Sequence, residues 1–353
     1  MNLDSAHPEG FQLGEWLRGE GTDSDIAICT RVRLARNVQG YRFSTCMDES
    51  EALELTNYVN DQVPKVDTDG PLMVEDLLRL DEVETQMLME RHLISRDHAV
   101  AHRPRSVVVN EGESISIMVN EEDHIRAQVF LAGFQVQEGF DIAEKIDESL
   151  AHLLPVAFSE EFGYLTTCPT NTGTGLRVSV MLHLPGLVWT EEIDKATATA
   201  QKIHLAMRGL YGEGSRALGD FYQVSNQVTL GRSEGQILSD VGAAVTRMVE
   251  WERMVREALL KGKPRVRTLD RVHRAMGILE RAHILSSEET LNCLSAVRFG
   301  VQQGIFEKIS LQQLNRALLL SQPAHLQRLS NEVLGPEERD ERRAMLVRGL
   351  LNP

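Results

Sequence analysis

Five arginines in this chain could together hold the phosphate groups of a nucleotide. Arg31 and Arg33 occupy alternate positions of a short β-prone run, and Arg126, Arg177 and Arg208 follow along the chain. A guanidinium is planar and permanently charged, so it suits phosphate oxygens better than an ammonium does. The sequence lacks the G-x-x-x-x-G-K-[ST], H-R-D, D-F-G and G-x-G-x-x-G patterns of other nucleotide sites. Taken singly, each arginine would be a solvated surface residue, and only their joint context predicts a phosphate site.

Three consecutive acidic residues are candidates for proton transfer. Glu121, Glu122 and Asp123 follow the β-prone run 114–119, and Arg126 comes shortly after them. An acidic turn that stood alone would be interpreted as solvated surface. Because this turn lies between a buried strand and one of the five arginines, we predict that it takes part in the chemistry.

Alternating patterns predict the strands that must position these side chains. Residues 106–109 and 114–119 flank a turn that contains Gly112, which predicts a hairpin. After Gly175, alternate residues from Arg177 share one strand face, and the apolar residues between them share the other. Strands and helices do not alternate strictly. The predicted fold class is therefore α+β, with an antiparallel sheet flanked by helices.

Capping signals predict the helices. Thr190 is predicted to cap a helix whose first turn contains Glu191 and Glu192. The breaker-rich stretch 261–264 predicts a domain boundary, which gives a catalytic domain over 1–260 and an all-α domain over 265–353. In that second domain, Ser286 and Ser310 begin capping boxes, and Pro336 opens a last helix. Its apolar stripes fit either a self-contained bundle or pairing with a second chain.

The composition narrows the class of protein. The 353 residues carry a formal net charge of -15, which opposes general binding to nucleic acid. No signal peptide and no apolar run long enough to span a membrane are visible, so we expect a cytoplasmic protein. The four cysteines are scattered and form no C-x-x-C pair, so reduced thiols are expected and structural zinc is not.

Four segments of the sequence resemble the phosphagen (guanidino) kinases, the ATP:guanido phosphotransferase family. They are Thr30–Asn37, Asn120–Arg126, Cys168–Arg177 and Arg208–Ser215, in the order that the family has them. The resemblance implies that the five arginines hold the ATP phosphates, with His92 near the nucleotide. Magnesium would arrive with ATP, without a dedicated protein cage. The resemblance also implies that the backbone of three segments lines the nucleotide pocket: Cys29, Thr30, Arg31, Val32, Arg33; Arg177, Val178, Ser179, Val180, Met181; and Arg208, Gly209, Leu210, Tyr211, Gly212, Glu213.

The same resemblance implies three residues at the reacting guanidinium. Glu122 would be the general base and Glu213 a second carboxylate that clamps the guanidinium. Cys168 matches a cysteine that touches the guanidino substrate in relatives, although a lone cysteine is more often a small buried hydrophobe. Relatives usually have Ser-Ser or Ser-Thr where this chain has Cys29-Thr30, so a hydroxyl contact with the nucleotide is expected to be weaker here.

The layout of the chain resembles that of the bacterial protein-arginine kinases within this family. The arginine pair comes as early as Arg31, so we expect no helical domain ahead of it, and we predict a helical region after Pro264. The resemblance implies a homodimer that phosphorylates arginines of client proteins in stress response and protein quality control. It also implies a zinc-binding activator protein, a heat-shock repressor and a Clp ATPase as partners. An R-D-x-x-R-A pattern would line an allosteric phosphoarginine pocket, formed by Arg339, Asp340, Arg343 and Ala344. Two alternatives stay open: a small-molecule guanidino kinase, and a nucleotide-binding regulator without catalysis.

Overall fold

The central element of the fold is a large antiparallel sheet. The computed structural model describes residues 11–209 and 218–351. In that part of the chain, eight strands hydrogen-bond in the order β2-β3-β4-β5-β1-β8-β10-β9, and the paired neighbours are antiparallel. Two short strands, β6 and β7, form a separate hairpin. The strand bounds are β1 Ala27–Arg36, β2 Leu72–Asp76, β3 Ser106–Asn110, β4 Ile115–Val119, β5 Ile125–Ala132, β6 Phe158–Ser159, β7 Gly163–Tyr164, β8 Leu176–His183, β9 Leu205–Gly209 and β10 Phe221–Asn226.

Helices flank the sheet and make up the chain beyond residue 264. Their bounds are α1 Glu49–Gln62, α2 Glu82–Glu90, α3 Arg96–Val100, α4 Val136–Leu153, α5 Pro185–Trp189, α6 Ile193–Lys202, α7 Glu234–Leu259, α8 Pro264–Arg281, α9 Ser287–Gln302, α10 Leu311–Leu320, α11 Pro323–Ser330 and α12 Pro336–Leu351. Within the described ranges, none of them has the length and hydropathy to span a bilayer. The predicted α+β class with a helical C-terminal region is confirmed.

Most of the strands and helices predicted from local sequence patterns are present in the structure. The predicted hairpin is β3–β4, the alternating run after Gly175 is β8, and Pro336 is the first residue of α12. Ser310 caps α10 with a complete capping box, and Ser286 accepts a hydrogen bond from the backbone of α9. The prediction for Thr190 was wrong. Pro185 starts the short helix α5, and the Thr190 hydroxyl donates back to the Gly186 carbonyl at 2.9 Å, so α6 begins only at Ile193.

One face of the sheet packs against helices of the first 260 residues. Val32 of β1, Val178 of β8 and Val224 of β10 are fully buried there. They pack against apolar side chains of α1, α4, α6 and α7 in one core cluster. Burial of such large aliphatic side chains contributes on the order of 2 kcal/mol each. This face is thereby filled, so chemistry that needs access belongs on the opposite face.

The opposite face shares its core with the C-terminal helices. Cys29, Phe130 and Met181 on the sheet belong to the same buried cluster as Leu294 of α9 and Val347 of α12. The chain turns between α7 and α8, where the sequence predicts a domain boundary. The division into two domains stays a prediction, and the common core shows that the helical region is packed onto the sheet.

Glu90, at the end of α2, ties the first part of the chain to α11. Its carboxylate accepts from the backbone nitrogen of Ala324 at 2.8 Å and from His325 Nδ1 at 2.6 Å. Both side chains of the pair are buried. The carboxylate therefore satisfies amide groups at the first turn of α11 that have no partner within the helix.

Replacing Glu90 with alanine is expected to destabilise the protein by about 3–5 kcal/mol, because it leaves the His325 ring and two helix amides buried without a partner. Chemical denaturation measures this free energy of unfolding. The exposed Glu82 of the same helix is the matched control, since its replacement removes no buried contact. Equal unfolding midpoints for Glu90→Ala and Glu82→Ala would contradict this role.

Candidate functional site

The five predicted arginines lie on one face of the sheet. Directly opposite residues of an antiparallel pair share a face. Arg33 stands opposite Arg177 across β1–β8, and Arg126 stands opposite Ala35 across β1–β5. Arg208 of β9 stands opposite Gln223 of β10, on the same face by the register of the intervening strands. The arginines thus spread across neighbouring strands, on the face that is not filled by α1, α4 and α7.

Arg33 lies at the centre of this group, and two of its side-chain nitrogens lack hydrogen-bond partners among the described residues. Its Nε and Nη2 atoms are buried without a hydrogen-bond partner in the described part of the chain. Burial, together with the charges of Arg31, Arg177 and Arg126, holds the pKa of the Arg33 guanidinium well below its usual range. A buried cation among other cations is unfavourable until an anion joins it. This arrangement fits a polyanion such as a triphosphate.

Arg31 and His92 border a narrow cavity beside the arginines. Arg31 donates to Gln223 Oε1 at 2.8 Å, and burial lowers the pKa of the Arg31 guanidinium to about 10. His92 lines the same cavity, with its ring edge-on to Trp16 at a centroid distance of 4.5 Å. Burial and the Arg31 charge lower the pKa of His92 to about 3, so the ring is neutral. A neutral imidazole can contact a nucleotide without adding charge.

Other residues of the predicted nucleotide segments divide between the two faces. Cys29, Ser179 and Met181 line the cavity with His92, and burial raises the pKa of the Cys29 thiol to about 12. The side chains of Val32, Val178 and Val180 lie in the core on the other face, so only their backbone is near the site. Thr30 also faces away, and its hydroxyl is occupied by the Gly133 carbonyl and the Gln135 amide, both at 2.9 Å.

The acidic turn between β4 and β5 is held in place from several sides. Asn120 adopts a left-handed backbone with φ of 61° and its side-chain amide donates to the Pro104 carbonyl at 2.7 Å. Asp123 is buried and accepts from Asn37 Nδ2 at 2.8 Å and from the Thr167 amide at 2.7 Å. These bonds connect the turn to the end of β1 and to the loop that carries Cys168. Asp123 therefore fixes geometry, and Glu122 is left to face the site.

Glu121 is a site residue that the sequence did not single out from its acidic neighbours. It receives both hydrogen bonds of Arg126 Nη1, at 2.8 and 2.9 Å, and one from Ser95 at 2.6 Å. Although burial opposes ionisation, Arg126 and Ser95 hold the pKa of Glu121 at about 2. The ionised carboxylate sets the orientation of Arg126. Gln223 of β10 acts likewise on Arg31, and no signal in the sequence pointed to it.

The structure brings Glu122 and Cys168 together. Burial, followed by the nearby Asp123 charge, raises the pKa of the half-buried Glu122 carboxyl, while a hydrogen bond with the Cys168 side chain works against the rise. The Cys168 sulfur also lies 3.0 Å from the Thr170 hydroxyl oxygen. A carboxylate with a raised pKa is a stronger proton acceptor than an ordinary glutamate. The Glu122 carboxyl thus lies close enough to Arg126 to interact with it electrostatically.

The loop from 168 to 175 holds Cys168 in position. Thr229 donates to the carbonyls of Thr170 and Thr172 at 2.9 and 2.7 Å. Gly175 has φ of 62°, and a Cβ there would come within 2.6 Å of the Ala35 carbonyl oxygen. Only glycine therefore allows this loop to return so closely to β1 at the start of β8.

Four predicted positions fall outside the described residues: Leu210, Tyr211, Gly212 and Glu213. Gly209, the neighbour of Arg208, is the last residue of β9. The predicted role of Glu213 as the second carboxylate clamp stays a prediction. In the described ranges, no group of three or more His, Cys, Asp or Glu side chains is placed to hold a metal ion.

The predicted phosphoarginine pocket maps to α12. Arg343 is buried and donates to the carbonyls of Ser321 at 2.9 Å and Leu285 at 2.7 Å, and it also bonds to Asp340. Ala344 is fully buried in the core. Arg339 and Asp340 are partly exposed on the same helix. The motif therefore divides into two buried residues that brace the helices and two that a ligand could reach.

Comparison with known proteins gives consistent matches along the chain. The family description "ATP:guanido phosphotransferase, C-terminal catalytic domain" fits residues 54–255, and "Protein-arginine kinase McsB C-terminal domain" fits residues 265–353. The chain is 42% identical over 342 residues to a protein-arginine kinase of Halothermothrix orenii, covering 96% of this chain and 97% of that protein. It is also 42% identical over 357 residues to a protein-arginine kinase of Bacillus cereus, covering 100% and 99%.

Solved structures agree on the fold. The duplicated taurocyamine kinase of Schistosoma mansoni with bound transition-state analogue components superposes with a TM-score of 0.59 at 26% identity. That match covers 70% of this chain and 35% of the taurocyamine kinase chain. Lombricine kinase superposes with a TM-score of 0.60 at 21% identity, covering 72% of each chain, and this likeness concerns the fold alone.

Proposed function

Since the chain belongs to the ATP:guanido phosphotransferase family and matches protein-arginine kinases along its whole length, we propose that it phosphorylates arginine residues in proteins. The reaction transfers the γ-phosphoryl group of ATP to a guanidinium nitrogen and yields ADP and phosphoarginyl protein. The observation that carries the proposal is the sheet face that bears the unsatisfied Arg33 group, together with the Glu122–Cys168 pair, whose carboxylate interacts with Arg126 of the same face.

The arginines supply the electrostatic part of the reaction. Charge on the transferred phosphoryl group is spread over its oxygens, so fixed cations stabilise it without covalent participation of the protein. Arg33 gains most from the arrival of ATP, because its buried donors have no other partner in the described residues. Glu121 holds Arg126 in a fixed orientation, which lowers the reorganisation needed during transfer.

Glu122 supplies the proton transfer. An arginine nitrogen is a poor nucleophile because its lone pair is delocalised and the group stays protonated in water. As the nitrogen–phosphorus bond forms, the bond from phosphorus to the ADP oxygen breaks, and the nitrogen loses one proton to the Glu122 carboxylate. Cys168, hydrogen-bonded to that carboxylate, helps to hold it in place. Magnesium is carried in by ATP and is held mainly by phosphate oxygens and water.

The pH dependence of the reaction follows from Glu122. The base must be ionised, and burial raises its pKa above the ordinary value of 4.5. We therefore expect kcat/KM to fall with decreasing pH through a midpoint that lies above 4.5. Initial rates in constant-ionic-strength buffers measure this acid limb. A midpoint at or below the ordinary glutamate value would contradict the assignment.

The protein substrate distinguishes this proposal from a small-molecule guanidino kinase. Equal concentrations of arginine, offered as the free amino acid and as residues of a basic protein, should give phosphorylation of the protein and little turnover of the free amino acid. The reverse preference would support the small-molecule alternative. ATP binding without transfer to either acceptor would support a regulatory protein without catalysis.

We propose that Arg339 and Asp340 form the accessible part of an allosteric phosphoarginine pocket. An arginine can bind the phosphoryl group and an aspartate can bind the guanidinium of such a ligand. Addition of free phosphoarginine should change the rate of the wild-type enzyme and leave Arg339→Ala/Asp340→Ala unaffected. The variant removes the carboxylate partner of Arg343 but keeps its hydrogen bonds to the Ser321 and Leu285 carbonyls, and thermal unfolding checks that the helices remain braced. An equal response of both enzymes would contradict the pocket.

From the same family resemblance we also propose partner proteins and a cellular location for the enzyme. It places the enzyme in the cytoplasm as a homodimer that marks damaged proteins for a Clp-type protease and acts on a heat-shock repressor. A small zinc-binding protein is proposed as its activator. Sedimentation of the purified protein tests the dimer, and a monomeric mass at working concentration would contradict it.

A further inference from the structure

A wide groove lies between α5, α8 and α9, and none of the five arginines lines it. Its volume is about 1020 Å³, and its walls include Trp189 of α5 and the first half of α8. Four basic side chains line it: Lys263, Arg267, Arg271 and Arg274. Steps of four, four and three residues place them along one side of the helix. The proposed phosphoryl transfer uses none of them.

The cations of this groove are available to a ligand. All four are exposed. The described residues provide no ion-pair partner for Lys263 or Arg267, whereas Arg271 interacts electrostatically with the Asp220 carboxylate. Arg274 lies 3.7 Å from Asp270, a loose and exposed contact. The second carboxylate of the groove, Asp220, is occupied by a 2.6 Å hydrogen bond from Ser295. Exposed charges without partners cost little to keep in water and are free to pair with an anionic partner.

The groove also offers apolar contact. The Arg271 guanidinium lies 4.7 Å from the centre of the Trp189 ring, which fixes a cation against an aromatic surface. Ile278, one turn beyond Arg274, is 37% exposed at the same wall. A ligand that fits both features has acidic groups and apolar groups along one chain.

Size and charge select the class of ligand. The basic stripe from Lys263 to Arg274 is about 16 Å long at a helical rise of about 1.5 Å per residue, which is about five residues of extended polypeptide. A single phosphate would occupy a small part of such a groove. The overall charge of -15 opposes approach of an extended polyanion such as nucleic acid, whereas a short acidic peptide meets only the local positive field.

We propose that this groove is a docking site for an acidic, partly apolar peptide segment of a partner protein. The segment lies along α8, with its carboxylates on the basic stripe and its apolar side chains against Trp189 and Ile278. The site is independent of the proposed phosphoryl transfer, so an enzyme without docking keeps its basal activity.

Fluorescence anisotropy with a short labelled peptide of alternating glutamate and leucine tests the proposal on the full-length protein. We expect saturable binding that weakens with added salt. Arg267→Glu should weaken it by at least about tenfold, because it reverses a charge at the centre of the stripe. Arg265→Glu is the matched control, since Arg265 is exposed on the same helix but points away from the groove.

Each outcome decides the proposal. Arg267→Glu binding as tightly as Arg265→Glu, or a glutamine–leucine peptide binding as tightly as the acidic one, would overturn it. Preferential binding of single-stranded DNA would instead identify a nucleic-acid site. A change in sedimenting mass of Arg267→Glu would identify a contact between copies of this chain. Both substitutions are at exposed positions, so thermal unfolding should match that of the wild type and serves as the folding check.

Discussion

Replacing Glu122 with glutamine is expected to lower kcat for protein phosphorylation by about 10²- to 10⁴-fold, the range typical of a lost general base. The substitution keeps the shape and most hydrogen bonds of the side chain and removes only its ability to accept the proton. The affinity for ATP should stay nearly unchanged, because the phosphate groups are held by the arginines. Steady-state kinetics with varied ATP separates the two parameters.

The pKa shift of Glu122 also predicts how Glu122→Gln changes the thermal stability of the protein. Burial and the Asp123 charge raise the pKa of Glu122, so its ionised form is disfavoured by folding. At neutral pH the glutamine variant should therefore unfold at the same temperature as the wild type or a higher one. Glu111→Gln, in the exposed turn of the neighbouring hairpin, is the matched control for kinetics. A Glu122→Gln enzyme with wild-type kcat would show that another group takes the proton.

Replacing Arg33 with methionine is expected to raise the thermal stability of the ligand-free protein while nearly abolishing ATP binding. The cation is buried among Arg31, Arg177 and Arg126, and removing it relieves both desolvation and repulsion. Loss of two charge-assisted hydrogen bonds to phosphate, at about 1.5–3 kcal/mol each, weakens ATP binding by at least about 10²-fold. The two effects have opposite signs, which a general folding defect could not produce.

Thermal unfolding with and without Mg-ATP measures both effects of Arg33→Met. The wild type should gain stability with ATP in proportion to the logarithm of occupancy, and the variant should gain almost none. Arg36→Met is the matched control on the same strand. Arg36 is also buried, but it forms a bidentate pair with Asp147 at 2.8 and 2.7 Å, so its loss should destabilise the protein by about 3–5 kcal/mol. A destabilised Arg33→Met that still responds to ATP would contradict the account.

The sequence predicted the strands best where side chains alternate. Arg177 in β8 and the hairpin β3–β4 were located correctly because successive side chains of a strand point to opposite faces, although β3 and β4 are buried on both faces. Thr190 was misplaced because a capping signal does not show that Pro185 has already begun another helix. Sequence patterns also could not show that the helices beyond Pro264 share a core with the sheet, since packing between distant elements leaves no local periodicity.

The sequence indicated candidate site residues, but it did not show which residues their side chains contact. The resemblance pointed to Arg33, Arg126 and Arg177, and the register of β1, β5 and β8 shows that these three share one face. The sequence did not show that Glu121 would bind Arg126 or that Thr30 would face the helices. Both depend on which strand lies beside which, and neighbours such as β1 and β5 are about 100 residues apart in the chain. The basic groove was missed because its walls come from α5, α8 and α9.

The most direct test of the central claim is to incubate the protein with Mg-ATP and a basic protein, and to locate phosphate by mass spectrometry under non-acidic conditions that preserve the phosphorus–nitrogen bond. The same reaction with the Glu122→Ala variant is the control. We predict phosphate on arginine side chains with the wild type and none with the variant. Phosphate on serine, threonine or tyrosine alone, or arginine phosphorylation that persists in Glu122→Ala, would contradict the account.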